Sequence, residues 1–262
     1  MKSIIDFQKY KDDGKLISVI TCYDYWSAKI IENTSIDAVL VGDSVAMVNH
    51  GFESTVNADL GMMQSHVSSV KKGIDSKVII ADLPFLLHRK GKRILMDSVE
   101  TLVKAGANAV KIEGAKVSLD SIKDVVDSGI PVMGHIGLTP QSINQFGGYK
   151  VQGKNNKKAE ELVGEAKLLE EAGVFAVVLE LVPANLAKRI TEEIHIPTIG
   201  IGAGRYTSGQ VLVLNDMLGL NKDFNPKFLR KFMEGFELMK SAFNAYDSAV
   251  KTNSFPNDNE SF

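Results

Sequence analysis

The chain has 262 residues, 44% of them hydrophobic and 24% charged, an ordinary composition for a folded protein with a large core. A formal net charge of −2 and an isoelectric point near 6.2 leave no global basic footprint for nucleic acid. The one cysteine, Cys22, excludes an internal disulfide and fits a reducing compartment; Asp6 interrupts any secretory apolar run, and no stretch approaches the roughly 18 apolar residues of a membrane span. The expectation is a cytoplasmic protein that acts on small molecules rather than on nucleic acid or a membrane.

In chain order, residues 4–10 read as a short helix covering one end of the fold. Val- and Ile-rich runs then recur at 16–22 (LISVITC), 37–42 (DAVLVG), 77–82 (KVIIAD), 108–113 (NAVKIE), 130–135 (IPVMGH), 174–180 (VFAVVLE), 196–201 (IPTIGI) and 211–214 (VLVL). Near-continuous apolar runs of this length predict strands buried on both faces, as in a parallel sheet. The stretches between them are amphipathic. In 158–172, Leu162, Ala166 and Leu169 fall on one helical face, leaving Glu161, Glu165 and Glu170 for water. Gly106, Gly129 and Gly173 each stand between such a helix and the next strand, where a left-handed residue ends the helix. Eight strands alternating with helices predict one (β/α)8 barrel, residues 1–262 forming a single domain with an N-terminal helix and a C-terminal extension. That extension reads as helix from 226 to about 250, followed by a polar tail over 251–262.

Barrels of this kind carry their chemistry at the C-terminal ends of the strands. Here five consecutive strands deliver polar groups to that rim. The second ends in Gly42-Asp43-Ser44, the third in Ala81-Asp82-Leu83-Pro84, the fourth in Lys111-Ile112-Glu113-Gly114, the fifth in Gly134-His135 and the sixth in Glu180. Asp43, Asp82 and Glu113 are candidate oxygen ligands for a hard divalent cation such as Mg²⁺, which completes its shell with waters and a chelating substrate. The competing reading is that each carboxylate caps the following helix or pairs with a lysine. Lys111 and Glu113 share one strand face, so an ammonium stands beside a carboxylate at the mouth, as a plain ion pair or as an anion site. His135 is open between a hydrogen bond to substrate or carboxylate and a packed core histidine, while His50 and His66 read as structural.

Several stretches resemble the ketopantoate hydroxymethyltransferase family. They are Val41-Gly42-Asp43-Ser44, Ala81-Asp82-Leu83-Pro84-Phe85, Val110-Lys111-Ile112-Glu113-Gly114 and Gly134-His135-Ile136-Gly137-Leu138-Thr139-Pro140-Gln141. Phe146-Gly147-Gly148-Tyr149-Lys150-Val151-Gln152-Gly153, Leu179-Glu180 through Lys188-Arg189-Ile190-Thr191, and Ile199-Gly200-Ile201-Gly202-Ala203-Gly204 complete the match, in order along nearly the whole chain. The resemblance implies a (β/α)8 barrel like those of the phosphoenolpyruvate/pyruvate superfamily. It also implies transfer of a hydroxymethyl group from 5,10-methylenetetrahydrofolate to 3-methyl-2-oxobutanoate, giving 2-dehydropantoate on the way to pantothenate. It further implies Mg²⁺ or a similar divalent ion and a homo-oligomer, commonly a decamer. Position by position, Asp43, Asp82 and Glu113 match the family's metal acids. Asp43, Ser44, Asp82 and Lys111 match its substrate-binding positions, and Glu180 its proton-abstracting base.

The sequence departs from the family pattern in two places. Gln64-Ser65-His66 lacks a tyrosine before the histidine, and 88–93 (HRKGKR) is more basic. A solvated charge run is the plain reading of 88–93; attraction of an anionic oxo acid or the folate glutamate tail is the functional one. The glycine-rich 199–204 run reads as close backbone approach at the barrel mouth. Two other functions compete: a metal-dependent lyase or phosphonopyruvate-type mutase, which usually needs an acid or nucleophile on a mobile loop, and a non-catalytic metabolite-binding barrel.

Overall fold

Each Val- and Ile-rich run becomes a parallel strand in the computed structural model, which describes residues 3–143 and 147–262. Met1, Lys2 and the Phe146 that opens the FGGYKVQG block lie outside the described residues. By its internal contacts the chain divides into two compact units, Met1–Val213 and Leu214–Phe262.

The first unit is a closed barrel of β1 (Ile17–Thr21), β2 (Ala38–Val41), β3 (Val78–Asp82), β4 (Ala109–Glu113), β5 (Val132–Gly137), β6 (Ala176–Glu180), β7 (Thr198–Ile201) and β8 (Gly209–Leu212), paired in sequence order with β8 returning to β1. The interior holds one apolar cluster, to which Ile17, Leu40, Ile80, Ala109, Met133, Val178 and Val211 contribute. The period of two carries these inward columns on to the rim: Val78 and Ile80 lead to Asp82, Ala109 to Lys111 and Glu113, Met133 to His135, and Ala176 and Val178 to Glu180. An apolar floor and a charged mouth are thus two ends of the same columns.

The N-terminal helix α1 (Ile5–Asp12) closes the floor. Phe7 is fully buried in the interior cluster and packs edge-on against Phe175 with ring centroids 5.1 Å apart. Lys11 fixes the helix in place. Its ammonium donates to the carbonyls of Thr191, Ile194 and Ile196 at 3.1, 2.8 and 2.9 Å, using all three of its hydrogens at the end of the helix Ala184–Glu193. The helices between strands start where side-chain caps predict. Asp24 accepts from Ser27 N, Asp59 from Met62 N and Asn155 from Lys158 N. The helix Asn156–Glu171 buries Leu162, Val163, Ala166 and Leu169, as its spacing predicts.

Most strand ends shift by a residue or two from the sequence expectation, and three differences have a visible structural setting. β5 runs two residues beyond His135, so His135 lies within the strand rather than closing it. β8 starts at Gly209 rather than 211, because Gly209 lets the backbone approach β1: a Cβ there would stand 2.3 Å from the Ile17 carbonyl oxygen. In the second unit the long helix begins at Gly235 and runs to Lys251, not from 226. The residues before it are held by other bonds, with Phe232 N donating to Met217 O and Gly235 N to Leu218 O.

Candidate active site

The mouth of the barrel gathers the acids, the lysine and the histidine into one connected cluster. Sheet register does most of this work. Asp82 pairs with Lys111 across β3 and β4, Glu113 with His135 across β4 and β5, and Gly137 with Glu180 across β5 and β6. The Lys111 ammonium lies 3.0 Å from Asp82 Oδ1 and 3.8 Å from Glu113 Oε1. His135 continues the chain, with Nδ1 3.4 Å from Glu113 Oε1 and Nε2 3.3 Å from Glu180 Oε2. Asp43 comes from the loop after β2, and its N–H donates to Asp82 Oδ2 at 3.0 Å.

All of these groups are buried except Glu180, whose side chain is 16% accessible against 5% or less for Asp82, Lys111, Glu113 and His135. Burial makes their charges strongly interdependent. Desolvation, then the charges of Asp82 and Glu113, push the Asp43 carboxyl well above the usual range. Burial raises Glu113 as well, but His135, Lys111 and the Gln141 N–H outweigh it and hold that carboxyl below its ordinary value. Burial works against the Lys111 charge, yet Asp82, Glu113 and Asp43 keep its pKa above that of a free lysine. Burial and Lys111 likewise oppose a charged His135, and the carboxylates of Glu113 and Glu180 overcome both, raising it to about 9. Nδ1 of His135 faces both Glu113 and Lys111, and Nε2 faces Glu180. Lys111 Nζ lies 3.2 Å from His135 Nδ1, a hydrogen bond in which the ammonium donates when that ring nitrogen is unprotonated.

The three carboxylates proposed from sequence as cation ligands share this mouth, with Lys111 standing between Asp82 and Glu113. Among the described residues no three His, Cys, Asp or Glu side chains close around one point as a complete metal cage. The donor set nevertheless suits a hard ion that keeps its waters. Asp82 Oδ1 and Glu113 Oε1 are buried without an aligned hydrogen-bond donor, and they are hard carboxylate oxygens. Mg²⁺ typically takes only one or two carboxylates and leaves its other positions to water and substrate.

Two residues of the site carried no individual role in the sequence reading. Gln141, on the single 3-10 turn Pro140–Ser142, donates its backbone N–H to Glu113 Oε2 and its side-chain amide to Asp43 Oδ2 and to Leu83 O. Tyr23, fully buried, meets Ser44 through its hydroxyl at 2.8 Å, and burial pushes that hydroxyl's pKa above the ordinary tyrosine value. Its carbonyl accepts from His66 Nδ1 at 2.5 Å, and His66 Nε2 meets His50 Nε2 at 2.9 Å. His50 and His66 thus brace the segment behind Ser44 and are absent from the acid cluster. The glycine-rich 199–204 run is a close-packed loop, since a Cβ on Gly204 would stand 2.5 Å from that of Ala184. In the basic segment, Lys92 pairs with Asp124 at 2.6 Å, Arg93 with Asp97 at 3.8 Å, and Arg89 donates to the Val117 carbonyl. Cys22 is wholly buried, its thiol raised by burial to about 11, which removes it as a nucleophile on a mobile loop.

With this geometry in place, comparison with known proteins is decisive. A model of the family described as ketopantoate hydroxymethyltransferase matches residues 1–258. The chain belongs to that family. It is 53% identical over 256 residues to the 3-methyl-2-oxobutanoate hydroxymethyltransferase of Francisella tularensis subsp. novicida (strain U112), covering 98% of this chain and 97% of that one. To the protein of the same name from Coxiella burnetii (strain Dugway 5J108-111) it is 54% identical over 252 residues, covering 96% of this chain and 95% of that one. Among solved structures, 2,3-dimethylmalate lyase, a PEP mutase/isocitrate lyase superfamily member, aligns with a TM-score of 0.60 at 17% identity, over 97% of this chain and 99% of that one. Phosphonopyruvate hydrolase in complex with oxalate and Mg²⁺ aligns at 0.63 and 11% identity, over 99% of this chain and 93% of that one. At these identities the two structures establish a shared barrel fold. Full-length kinship to transferases removes the lyase, mutase and non-catalytic readings left open by the sequence. Among the described residues, no helix is long and apolar enough to cross a membrane.

Proposed function

We propose that the enzyme transfers a hydroxymethyl group from 5,10-methylenetetrahydrofolate to 3-methyl-2-oxobutanoate, forming 2-dehydropantoate, with Glu180 as the base that opens the reaction. The observation that carries this reading is Glu180 itself. It is the most accessible carboxylate of the cluster, at a strand end, with its Oε2 3.3 Å from His135 Nε2.

C3 of the oxo acid must lose its proton before it can attack a one-carbon electrophile. Glu180 takes that proton, a role typically worth about 10²–10⁴-fold in rate. His135, 3.3 Å away, orients the carboxylate. The Lys111 ammonium, itself buried, supplies fixed positive potential where negative charge grows on the substrate's keto oxygen and carboxylate. Ser44, steadied by the Tyr23 hydroxyl, is placed to hydrogen-bond the substrate carboxylate. Asp43 and Asp82, with Glu113 behind Lys111, would hold a divalent ion such as Mg²⁺. When bound, such an ion supplies Lewis-acid polarisation of the keto oxygen, worth several kcal/mol. The pterin brings the electrophilic carbon. The basic 88–93 segment follows a strand end on the same side and is suited to draw in the folate glutamate tail. In this reading the enzyme works in the cytoplasm as a homo-oligomer, a decamer in the manner of its family.

Deuterium exchange at C3 of 3-methyl-2-oxobutanoate in D₂O, followed by NMR, tests the opening step. Exchange is expected with wild type and Mg²⁺, and is expected to fail in EDTA and in Glu180→Gln. Exchange that survives in Glu180→Gln removes Glu180 as the base. A wild type that neither exchanges nor, with the folate added, forms product removes the reaction.

A further inference from the structure

In each of the three buried acids, one oxygen is tied to a neutral N–H. Asp82 Oδ2 accepts from Asp43 N at 3.0 Å. Asp43 Oδ2 accepts from Gln141 Nε2 at 2.8 Å, and Glu113 Oε2 from Gln141 N at 3.1 Å. The second amide hydrogen of Gln141 goes to Leu83 O at 3.0 Å, on the residue that follows Asp82. The Leu83 carbonyl can only accept, so the amide sits with its nitrogen toward it and toward Asp43. One residue therefore fastens the ends of β2, β3 and β4 to each other.

We infer that Gln141 is a positioning residue for cation binding: a neutral clamp that aims Asp43 and Glu113 and holds the backbone beside Asp82 without adding a charge of its own. A lysine or arginine in its place would satisfy the same carboxylates but cancel the field that attracts a cation. A carboxylate in its place would set acceptor against acceptor at Asp43. The amide does neither. It takes no bond to Asp82 Oδ1 or Glu113 Oε1, so an incoming ion or its waters meet these two oxygens with only Lys111 and His135 facing them. Partners that orient metal ligands typically contribute about 10–100-fold to affinity, and the inference assigns Gln141 an effect of that size. It rests on the divalent-ion reading of these acids given above.

The test is Mn²⁺ binding to the whole protein, by electron paramagnetic resonance and calorimetry, in wild type, Gln141→Met and Asp82→Asn. Methionine keeps the volume and removes both side-chain donors, while the backbone bond to Glu113 stays. The expected result is a folded Gln141→Met, its melting temperature in EDTA lowered by the two unpaired acceptors, and a Kd for Mn²⁺ raised about 10–100-fold. Its KM for the oxo acid should rise with little change in kcat at saturating Mn²⁺, a split that loss of packing alone would not produce. A Kd within twofold of wild type overturns the inference. Should Gln141→Met not fold, Gln141→Asn, whose shorter amide does not reach Asp43, carries the same expectation and the same refutation. If Asp82→Asn also binds Mn²⁺ as wild type does, the cation reading of the acids itself fails and the clamp falls with it.

Discussion

Replacing Lys111 by methionine isolates the electrostatics of the mouth from its chemistry. The ammonium is buried, 3.0 Å from Asp82 and 3.8 Å from Glu113, with Asp43 part of the same field. Methionine preserves most of the volume and leaves three carboxylates without their fixed cation. Removing one partner of a buried pair typically costs about 3–5 kcal/mol. For a domain of this size each kcal/mol moves the melting temperature by about 2–4 °C, so Lys111→Met should melt about 6–20 °C below wild type. The comparison belongs in EDTA, because a divalent ion would replace the lost charge. The pH dependence supplies a second check. The lysine's own pKa is raised in the fold, so its titration removes stability only in the alkaline range, as pH rises past that of a free lysine. Changes at lower pH come from His135, whose charge Lys111 opposes, and, in the acid range, from the carboxylates. Asp43 already titrates above the usual range, and without Lys111 it will protonate more readily still. The deficit should therefore shrink as pH falls toward about 5, and Lys111→Met/Asp82→Asn should recover part of it at neutral pH. A melting temperature within about 2 °C of wild type, or a deficit that ignores pH, refutes this account of the cluster.

Other parts of the molecule give separable expectations. A Cβ on Gly137, where φ is 94°, would lie 2.3 Å from the Glu180 carbonyl oxygen; Gly137→Ala should displace the base and cut C3 exchange by about 100-fold, and exchange within threefold of wild type would contradict it. In the second unit, burial raises Asp216 from 3.8 to about 6 despite Lys231, so its ionised form opposes folding, by nothing below about pH 3.8 and fully above about 6. Asp216→Asn should then stabilise that unit by on the order of 2 kcal/mol at about pH 7.5 and not at about pH 3.5; an equal gain at both would be against it. Neutralising Arg89, Lys90, Lys92 and Arg93 together should raise the folate KM, more so at low salt, where surface charge is less screened. Because Lys92 and Arg93 already face Asp124 and Asp97, a smaller effect is expected from those two than from Lys90. An unchanged KM would reduce the segment to a solvated charge run.

The barrel was legible in sequence because strands covered on both faces must be apolar throughout, and the polar residue that ends such a run stands out. Period-two alternation placed Lys111 and Glu113 on one face, and the register confirms that face as the one that carries Asp82 and His135. Gln141 gave no such signal. It sits on a turn with no periodicity, and its partner Asp43 is 98 residues away. Tyr23 looked like ordinary core, since its hydroxyl's partner Ser44 is reached only through the fold. The start of β8 was hidden by Thr207, Ser208 and Gly209, which read as loop until Ser208 and Thr198 are seen to bond each other across the sheet. The start of the C-terminal helix was misplaced because composition over 226–234 permits helix, whereas the backbone there bonds to residues 217–219 instead.

The pairings of Asp82 with Lys111, Glu113 with His135 and Gly137 with Glu180 are rungs of the ladder that shuts the barrel. Slippage of any one rung by a single residue would turn its charged side chain outward. Among the described residues, the positions of Asp82, Lys111, Glu113, His135 and Glu180 are therefore set by strand pairing. Turnover in this protein is a gauge of barrel closure. In a refolding chain it should return with the final strand pairing and not with the earlier recovery of helix, and a chain with one unzipped seam should be inactive rather than slow.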